Sequence, residues 1–338
     1  MSKLSIHDPT LRDGNHAVRH QLTAEQIALY ARAAEAAGIP TVEVGHGNGL
    51  GASSLQVGLS LLDDATMICT ARENLARTKL GVFAIPGFAT VDRDLRPALD
   101  MGVDVVRIGA HCTEADITQR HISYVRERGK EVYGILMMCH MAPQETLLEE
   151  CRKIESYGAE GVVLMDSAGA LLPSDVTARI ELLVRNLGIP VGFHAHNNLG
   201  LAIANAMAAA EAGASILDGC ARGFGAGAGN AQLEVLVSVL EKAGYTTGVN
   251  LYKVLDLGEV AEQHLVTSMP SIKSLSIVSG LAGVFSGFAK HVEQIALEYG
   301  VDPRDIFFEL GRQRVVAGQE DRIIETAEAL RAAKGNRP

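Results

Sequence analysis

The sequence lacks tryptophan, and aromatic residues make up only 4% of its 338 positions. Basic residues are outnumbered, because 30 Lys and Arg stand against 40 Asp and Glu and leave a net charge of −10. This balance provides no basic face for nucleic acid. The most apolar stretch, residues 275–288, is shorter than the roughly 20 residues that a membrane-spanning helix needs. We therefore expect the protein to bind neither nucleic acid nor membranes.

The five cysteines are scattered along the chain and form no CxxC pair. An odd number of isolated cysteines indicates reduced thiols rather than a disulfide framework. The N-terminal sequence MSKLSIHDPT contains no apolar segment of the kind found in signal peptides. These features predict a cytoplasmic protein.

Short apolar segments alternate with longer Ala-, Leu- and Glu-rich segments over residues 1–247. The predicted strands are 4–8, 41–45, 79–86, 103–110, 131–140, 161–167, 190–198 and 215–220. Eight strands, each followed by a helix, predict an α/β fold of the (β/α)8 TIM-barrel type. A doubly wound sheet is the competing fold. Its glycine-rich phosphate loop would follow the first strand, where this chain has the charged sequence DPTLRDGNH.

The strand–helix alternation stops after residue 247, and the segments beyond it have helical patterns. We predict a TIM-barrel catalytic domain over residues 1–247. The second predicted domain is a C-terminal helical extension over residues 248–338.

Active sites of TIM barrels form at the C-terminal ends of the strands. The polar residues predicted at these ends are Asp8, Arg12, Asp13, His16, Glu43, His46, Asn48, Arg107, His111, His140, Asp166, Ser167, His194, His196, Asn197 and Asn198. The sharpest motif among them is HAH, because residues two apart in a strand share a face. We expect His194 and His196 to face the barrel axis and to bind one divalent metal. Two core histidines held by hydrogen bonds are the alternative.

Two neutral imidazoles need an anionic third ligand if the metal is to keep open positions for substrate. Asp13 is the predicted third ligand and Asp166 the alternative. A closed structural zinc site would require thiolates, which we do not expect nearby, and Cys220 lies in no suitable motif.

Two residues beside Asp13 have more than one interpretation. Arg12 can form an ordinary salt bridge, or its guanidinium can hold a carboxylate or an enolate oxygen beside the metal. His16 can be a general base or a hydrogen-bonding loop residue.

Two kinds of cofactor chemistry are not expected. The GAGAGN sequence follows the eighth strand, so it is no dinucleotide fingerprint, and we predict a tight loop through which backbone approaches the site. No lysine falls at a strand end on the catalytic side, so a Schiff-base mechanism is not expected either. Stabilisation of a carbanion would then require the metal.

Several motifs together resemble those of the 4-hydroxy-2-oxovalerate aldolases. These enzymes are class II pyruvate aldolases of the DRE-TIM, or HMG-CoA lyase-like, metalloenzyme group. The motifs are DPTLRDGNHAVRHQLT, RIGAHCTEAD, MMCHMAP, ESYGAEGVVLMDSAGALLPSDV, GFHAHNNLGLAIANAMAAAEAGA and GAGAGN. The resemblance covers almost the whole chain, including its helical C-terminus.

The resemblance implies a lyase that cleaves 4-hydroxy-2-oxo acids to pyruvate and an aldehyde, and that also catalyses the reverse aldol addition. It implies Mn²⁺ held by Asp13, His194 and His196. Arg12 would stabilise the pyruvate enolate, His16 would be the base, and Ser167 would lie near the substrate. His194 would also lie beside the substrate.

The family acts in meta-cleavage pathways of aromatic hydrocarbon catabolism. Its members commonly pair with an acylating acetaldehyde dehydrogenase, docked partly by the C-terminal domain. We expect such a partner and an oligomeric assembly.

Several positions depart from the family pattern, among them Asn48, which stands where the family has aspartate. Phe285 replaces a tyrosine expected near the substrate, which removes a hydroxyl. Phe83 and Ile85 replace other apolar residues and are predicted to reshape the aldehyde pocket. Two other functions compete: an acyl-CoA lyase or Claisen-type synthase on the same framework, and an inactive barrel that acts as a binding partner. The glycine loop lacks the cysteine found in HMG-CoA lyase relatives, which disfavours the lyase.

Overall fold

A computed structural model describes residues 3–316 and 318–335. Eight parallel strands pair in chain order and close into a barrel, because the first strand pairs with both the second and the eighth. The strands are β1 (Ser5–Leu11), β2 (Thr41–Val44), β3 (Lys79–Ala84), β4 (Val105–His111), β5 (Glu131–Met137), β6 (Gly161–Asp166), β7 (Val191–Ala195) and β8 (Ile216–Asp218). The predicted (β/α)8 barrel is confirmed.

Helices surround the barrel and continue beyond it. They are α1 (Gly14–Ala17), α2 (Ala24–Ala37), α3 (Asp64–Glu73), α4 (Arg96–Asp100), α5 (Gln119–Glu127), α6 (Gln144–Ser156), α7 (Pro173–Asn186), α8 (Ala202–Glu211), α9 (Leu233–Lys242), α10 (Leu251–His264), α11 (Ser274–Ala282), α12 (Ala289–Tyr299), α13 (Pro303–Arg312) and α14 (Asp321–Gly335). Within the described ranges, none of these helices combines the length and apolarity that crossing a membrane requires.

The alternation of side chains along β7 separates the barrel interior from the helix layer. Phe193 and its alternate neighbours belong to the large apolar core that includes the surrounding helices. Gly192 faces the interior, where a Cβ would come within 3.0 Å of Val163 and within 2.8 Å of Ile216. Because His194 is two residues further along, its imidazole points the same way, as the sequence predicts.

Helix α2 shows how local sequence supports this arrangement. Thr23 and Gln26 form a reciprocal capping box at its start, and Gly38 ends it in the left-handed conformation that glycine adopts without strain. The buried Tyr30 hydroxyl donates to Asp8 Oδ2 at 2.6 Å. Helix α2 is thereby tied to the first strand just before the charged loop.

The predicted strand ends differ from the observed ones by one to three residues, and the differences at β1 and β7 have a clear physical reason. Strand β1 continues past Asp8 to Leu11, because the Asp8 carboxylate accepts hydrogen bonds from Thr10 and Tyr30 and can remain buried inside the sheet. Strand β7 ends at Ala195, before His196. From there the chain pairs with the glycine loop, and the Asn197 N–H donates to the Gly229 carbonyl at 2.8 Å.

The C-terminal helices α11–α14 enclose a second apolar core that includes Phe288, Phe307 and Leu310. Helix α10, by contrast, packs on α2 and belongs to the barrel core. Polar contacts join the two cores at the catalytic end of the barrel. His140 Nε2 lies 2.9 Å from the Gly283 carbonyl, a distance at which the ring N–H donates to it.

Candidate active site

Asp13, His194 and His196 converge at the C-terminal end of the barrel. One donor atom from each lies within 4.8 Å of the others, and all three residues are buried. His194 Nε2 lies 4.0 Å from Asp13 Oδ2 and has no hydrogen-bond partner among the described residues. Native proteins rarely leave a buried polar atom unpaired, unless an ion or water satisfies it. Two imidazole nitrogens and one carboxylate are donors that suit a divalent cation.

The protonation states of His196 and Asp13 also suit a cation. Burial lowers the pKa of His196 to about 3, so its imidazole is neutral at pH 7. Burial works to raise the pKa of Asp13, but Arg12 and the two histidines outweigh it and hold that pKa well below its usual range. Metal binding requires a neutral imidazole and an ionised carboxylate, which are the states of His196 and Asp13.

A second layer of charged residues orients His194. Asp218, on β8, accepts from His194 Nδ1 at 2.8 Å and from Arg107 Nη2 at 2.5 Å. This bond places the Nδ1 proton and leaves Nε2 free to bind a metal. Burial opposes ionisation of Asp218, but Arg107 and His194 together lower the pKa of Asp218 below its usual range.

We predict that Asp218→Asn weakens cation binding by about 10–100-fold, because His194 loses the carboxylate that fixes its tautomer and orientation. Calorimetric titration of the metal-free protein with Mn²⁺ measures the change. Asp100→Asn is the matched control, since Asp100 pairs with Arg128 at the exposed surface. Unchanged affinity in Asp218→Asn would show that Asp218 does not support the ligand.

Arg12 is held on one side and open on the other. Its Nε donates to Glu43 at 2.5 Å, and its Nη1 donates to Asp13 at 2.7 Å. The guanidinium carbon lies 4.7 Å from the centre of the Phe83 ring. Its Nη2 is buried and meets no hydrogen-bonding atom in the part of the chain that the structure describes. The guanidinium is therefore fixed beside Asp13, His194 and His196, the metal-type cluster, and its Nη2 is available to a ligand.

Opposite charges keep this buried guanidinium ionised. Burial alone would lower its pKa, but Glu43 and Asp13 outweigh this effect and raise the pKa of Arg12 above its usual range. Glu43 also accepts from Arg107 at 3.4 Å. A continuous chain of charged contacts thus runs from Asp13 through Arg12, Glu43 and Arg107 to the carboxylate that orients His194.

The glycine loop after β8 holds the other side of Asp13. Asp13 Oδ1 accepts from the Ala226 N–H and from Asn230 Nδ2, both at 3.0 Å. A Cβ on Gly225 would lie 2.2 Å from Asn230 Nδ2 and 2.6 Å from Asp13 Oδ1. The loop therefore needs glycine for close approach of its backbone to the site, as the sequence predicts.

One cysteine lies close to the residues that contact Asp13, but not as a thiolate. The Cys220 sulfur accepts from Asn230 Nδ2 at 3.2 Å, and the same amide nitrogen donates to Asp13 Oδ1. Burial, followed by the nearby Asp13 carboxylate, raises the pKa of Cys220 well above its usual value. The group is therefore a neutral thiol, which is not the form that binds metals.

His16 lies on α1, one turn after Arg12, and is half-buried. Desolvation lowers the pKa of His16 to about 4. Its imidazole is therefore neutral near pH 7, as a general base must be before it accepts a proton. The rings of His16 and His20 meet in a T-shaped contact, with centroids 5.1 Å apart.

The other predicted site residues occupy two regions. Phe83 lies in a small apolar cluster inside the barrel, and Ile85 packs against that cluster. Ser167 accepts the Met138 N–H at 3.0 Å through its hydroxyl oxygen. Phe285 packs in the C-terminal core, 5.8 Å from Phe288 between ring centres.

The alternative third ligand, Asp166, is engaged elsewhere. Its two oxygens accept the backbone N–H groups of Ala170 and Leu171, both at 3.0 Å. Those bonds shape the turn before α7, and Asp166 is not part of the metal-type cluster.

Sequence patterns did not single out Asp218 or Asn230. One available signal was a carboxylate within the otherwise apolar eighth strand, because a charge inside a barrel requires a partner. No comparable signal marks Asn230, whose contact with Asp13 joins residues 217 positions apart.

Sequence profiles of known families match two parts of the chain. The HMGL-like profile matches residues 3–261, which include the strands and the cluster described above. The chain belongs to the HMGL-like family. A second profile, the DmpG-like communication domain, matches residues 270–332, which contain the C-terminal helices.

Similar curated proteins show which family within the HMGL-like group the chain belongs to. A protein of Spirochaeta aurantia named 4-hydroxy-2-oxovalerate aldolase is 63% identical to this chain. The match covers 98% of this chain and 97% of the relative. Proteins of the same name from Pectobacterium atrosepticum and Streptomyces tendae are each 60% identical to this chain. The Pectobacterium match covers 97% of this chain and 96% of the relative. The Streptomyces match covers 98% of this chain and 92% of the relative. The chain is therefore a member of the 4-hydroxy-2-oxovalerate aldolase family.

Solved structures agree on the HMGL-like fold. The carboxyl transferase domain of Rhizobium etli pyruvate carboxylase, solved with pyruvate and biocytin, superposes with a TM-score of 0.81. The superposition covers 98% of this chain and 61% of the carboxylase chain, and the two sequences are 16% identical. At this identity the likeness shows a shared fold alone.

Proposed function

We propose that this protein is a divalent-metal-dependent carbon–carbon lyase that cleaves 4-hydroxy-2-oxo acids, such as 4-hydroxy-2-oxovalerate, to pyruvate and an aldehyde. It also catalyses the reverse aldol addition. The observation that carries this proposal is the convergence of three metal-type donors with the open Nη2 of Arg12. The shared name of the close relatives supports the same reaction.

Asp13, His194 and His196 would hold the cation, which supplies Lewis-acid polarisation of the 2-oxo group of the substrate. Mn²⁺ is the proposed resident ion, because mixed nitrogen and oxygen donors suit first-row divalent metals. His194 would also line the substrate side of the site.

The side chains around the cluster would carry out the bond cleavage. His16 takes the proton from the C4 hydroxyl, and the C3–C4 bond then breaks to release the aldehyde. The electrons of that bond pass to the pyruvate enolate. Arg12 Nη2 donates to the enolate oxygen and balances its charge, and protonation at C3 completes pyruvate.

Three apolar side chains and one hydroxyl are proposed to shape the substrate pocket. Phe83 stacks against the guanidinium of Arg12, so its ring would border the space beside the enolate. Ile85 extends the same apolar surface. On the other side, Ser286 Oγ donates to the Ser167 carbonyl at 3.1 Å, which brings Ser167 and the segment with Phe285 together.

The competing functions have weaker support. The relatives compared are named as aldolases, which favours aldol cleavage over acyl-CoA lysis or Claisen-type synthesis. An inactive binding partner would not need three converging donors with an unpaired imidazole nitrogen.

We also propose that the barrel domain, 1–247, and the helical domain, 248–338, divide the work of the protein. The match to a DmpG-like communication domain supports docking of an acylating acetaldehyde dehydrogenase on the helical domain. Leu281, Leu297 and Phe308 expose apolar surface on that domain. Replacing Leu297 by aspartate or by alanine should weaken co-purification of the dehydrogenase without changing pyruvate release, because either change removes exposed apolar surface.

Removal of the cation should abolish activity reversibly. Protein treated with a chelator and then freed of it should release pyruvate at least about 10²-fold more slowly, because the 2-oxo group is no longer polarised. Addition of Mn²⁺ should restore the rate, and a coupled pyruvate assay over a panel of divalent ions and aldehyde lengths measures both effects. Full activity in metal-free protein would rule the proposal out.

A further inference from the structure

The ring of His16 lies in a pocket formed by a segment after β2. Gly47 faces this ring so closely that a Cβ on it would lie 2.5 Å from three ring atoms, including Nε2. On another side the ring meets His20, which stacks on His46 with centroids 3.6 Å apart and an angle of 20° between the planes. The imidazole of His16 is thus confined on one side by the Cα of Gly47 and on another side by the ring of His20.

The two supporting histidines are themselves fixed by backbone groups. His20 Nδ1 accepts the Gly47 N–H at 3.3 Å, and His46 Nδ1 accepts the Asn48 N–H at 3.0 Å. His46 Nε2 lies 3.1 Å from the Gly58 carbonyl, to which it donates in the tautomer that these bonds require. The stacked pair is therefore a rigid wall beside His16.

Gly47 makes a third contact, to Arg12. Its carbonyl accepts from Arg12 Nη1 at 3.3 Å, while its N–H holds His20 and its Cα faces His16. One peptide segment therefore touches both groups to which the proposed function assigns chemistry. Local sequence patterns assign Gly47 no role, because its importance depends on contacts with residues 27 to 35 positions away.

We infer that Gly47 is a positioning residue for aldol cleavage, and that its missing side chain lets His16 take the orientation from which it accepts the substrate proton. This inference rests on the proposed function and deepens it. Gly47 itself touches no reacting atom in this scheme. It acts through His16, because a methyl group at this position and the observed imidazole cannot share the same space.

The substitution Gly47→Ala tests the contact between Gly47 and the His16 ring. Gly47 lies outside the left-handed backbone region, so Gly47→Ala adds a methyl group without backbone strain. The methyl group would push the His16 ring out of its pocket. A displacement of about 1 Å in a catalytic group can lower a rate about 10²-fold.

The test compares two reactions of the Mn²⁺-loaded enzyme. Gly47→Ala should lower kcat for cleavage of 4-hydroxy-2-oxovalerate by about 10–10²-fold. Exchange of the pyruvate methyl protons with deuterium should stay within about twofold of the wild-type rate, because it does not need the C4 hydroxyl proton to be removed. Gly188→Ala is the matched control, since its nearest atom is the flexible carboxylate end of Glu155, away from the site.

A double-mutant cycle separates positioning from general damage. In a His16→Ala background, Gly47→Ala should cause no further loss of cleavage, because the group through which it acts is absent. Equal loss of cleavage and exchange, or additive loss in the double variant, would overturn the inference. Wild-type protein that releases no pyruvate with any divalent metal would instead overturn the proposed function.

A second pair of variants keeps the inference testable if Gly47→Ala does not fold. His20→Ala removes the acceptor of the Gly47 N–H, whereas His20→Asn keeps an oxygen near the position of Nδ1. Asparagine also tolerates the left-handed backbone of His20, whose φ is 62°. The ratio of cleavage to exchange should fall in His20→Ala and recover in His20→Asn. Equal ratios in both variants would count against a positioning role for this contact.

Discussion

Replacing Asp13 by asparagine should abolish tight cation binding and lower pyruvate release by about 10³-fold or more, since Lewis-acid stabilisation is worth several kcal/mol. Asn230, the Ala226 N–H and Arg12 all converge on this carboxylate. An amide can still accept from the glycine loop, but it brings no negative charge to the site. Its NH₂ group would also face Arg12 Nη1, a donor that now contacts a carboxylate oxygen.

Metal analysis after dialysis and the pyruvate assay measure the two effects of Asp13→Asn together. Asp166→Asn is an informative comparison, because Asp166 is the other carboxylate that the sequence offered as a ligand and it bonds instead to backbone N–H groups. It should retain the bound cation. The assignment fails if Asp13→Asn binds Mn²⁺ as tightly as the wild type.

Replacing Arg12 by lysine should lower kcat by about 10²–10³-fold, which is the usual effect of removing one donor that stabilises an oxyanion. Lysine keeps the positive charge between Glu43 and Asp13, so neither carboxylate is left without an opposite charge. It cannot, however, reach both carboxylates and still present a third, fixed donor to the substrate. Binding of Mn²⁺ should change far less than kcat.

Arg72→Lys is the matched control for this variant. Arg72 also makes a short ion pair, with Asp104 at 2.7 Å, but it lies at the opposite end of the strands from the cluster. We expect that variant to keep wild-type kcat. Steady-state kinetics at saturating Mn²⁺ compare the two, and a near-normal kcat in Arg12→Lys would remove the enolate role from Arg12.

Local sequence patterns were sufficient to predict the barrel. Seven of the predicted strands begin within one residue of the observed ones, and the fourth, predicted from Val103, begins two residues later at Val105. The reason is that buried parallel strands are short apolar runs and their ends are marked by turn residues, both of which are local properties. The strand ends were less certain where polar residues are buried, as at Asp8, whose carboxylate is satisfied by a helix residue.

The proposed ligands also followed from local rules. Residues 194 and 196 share a face because the side-chain period of a strand is two, and Asp13 follows the first strand at the same end of the barrel. The alternative carboxylate, Asp166, satisfied the same rules equally well. Only the loop conformation, in which Asp166 turns toward the N–H groups before α7, separates the two.

By itself, the sequence determined the repeating strand–helix order, the face on which the two histidines lie and the end of the barrel that carries the chemistry. The tertiary structure decided which side chains support them. Arg107 and Asp218 meet across 111 positions of chain, and Gly47 reaches His16 from the next loop. Such contacts depend on barrel closure and strand register, which bring together residues that no local period relates.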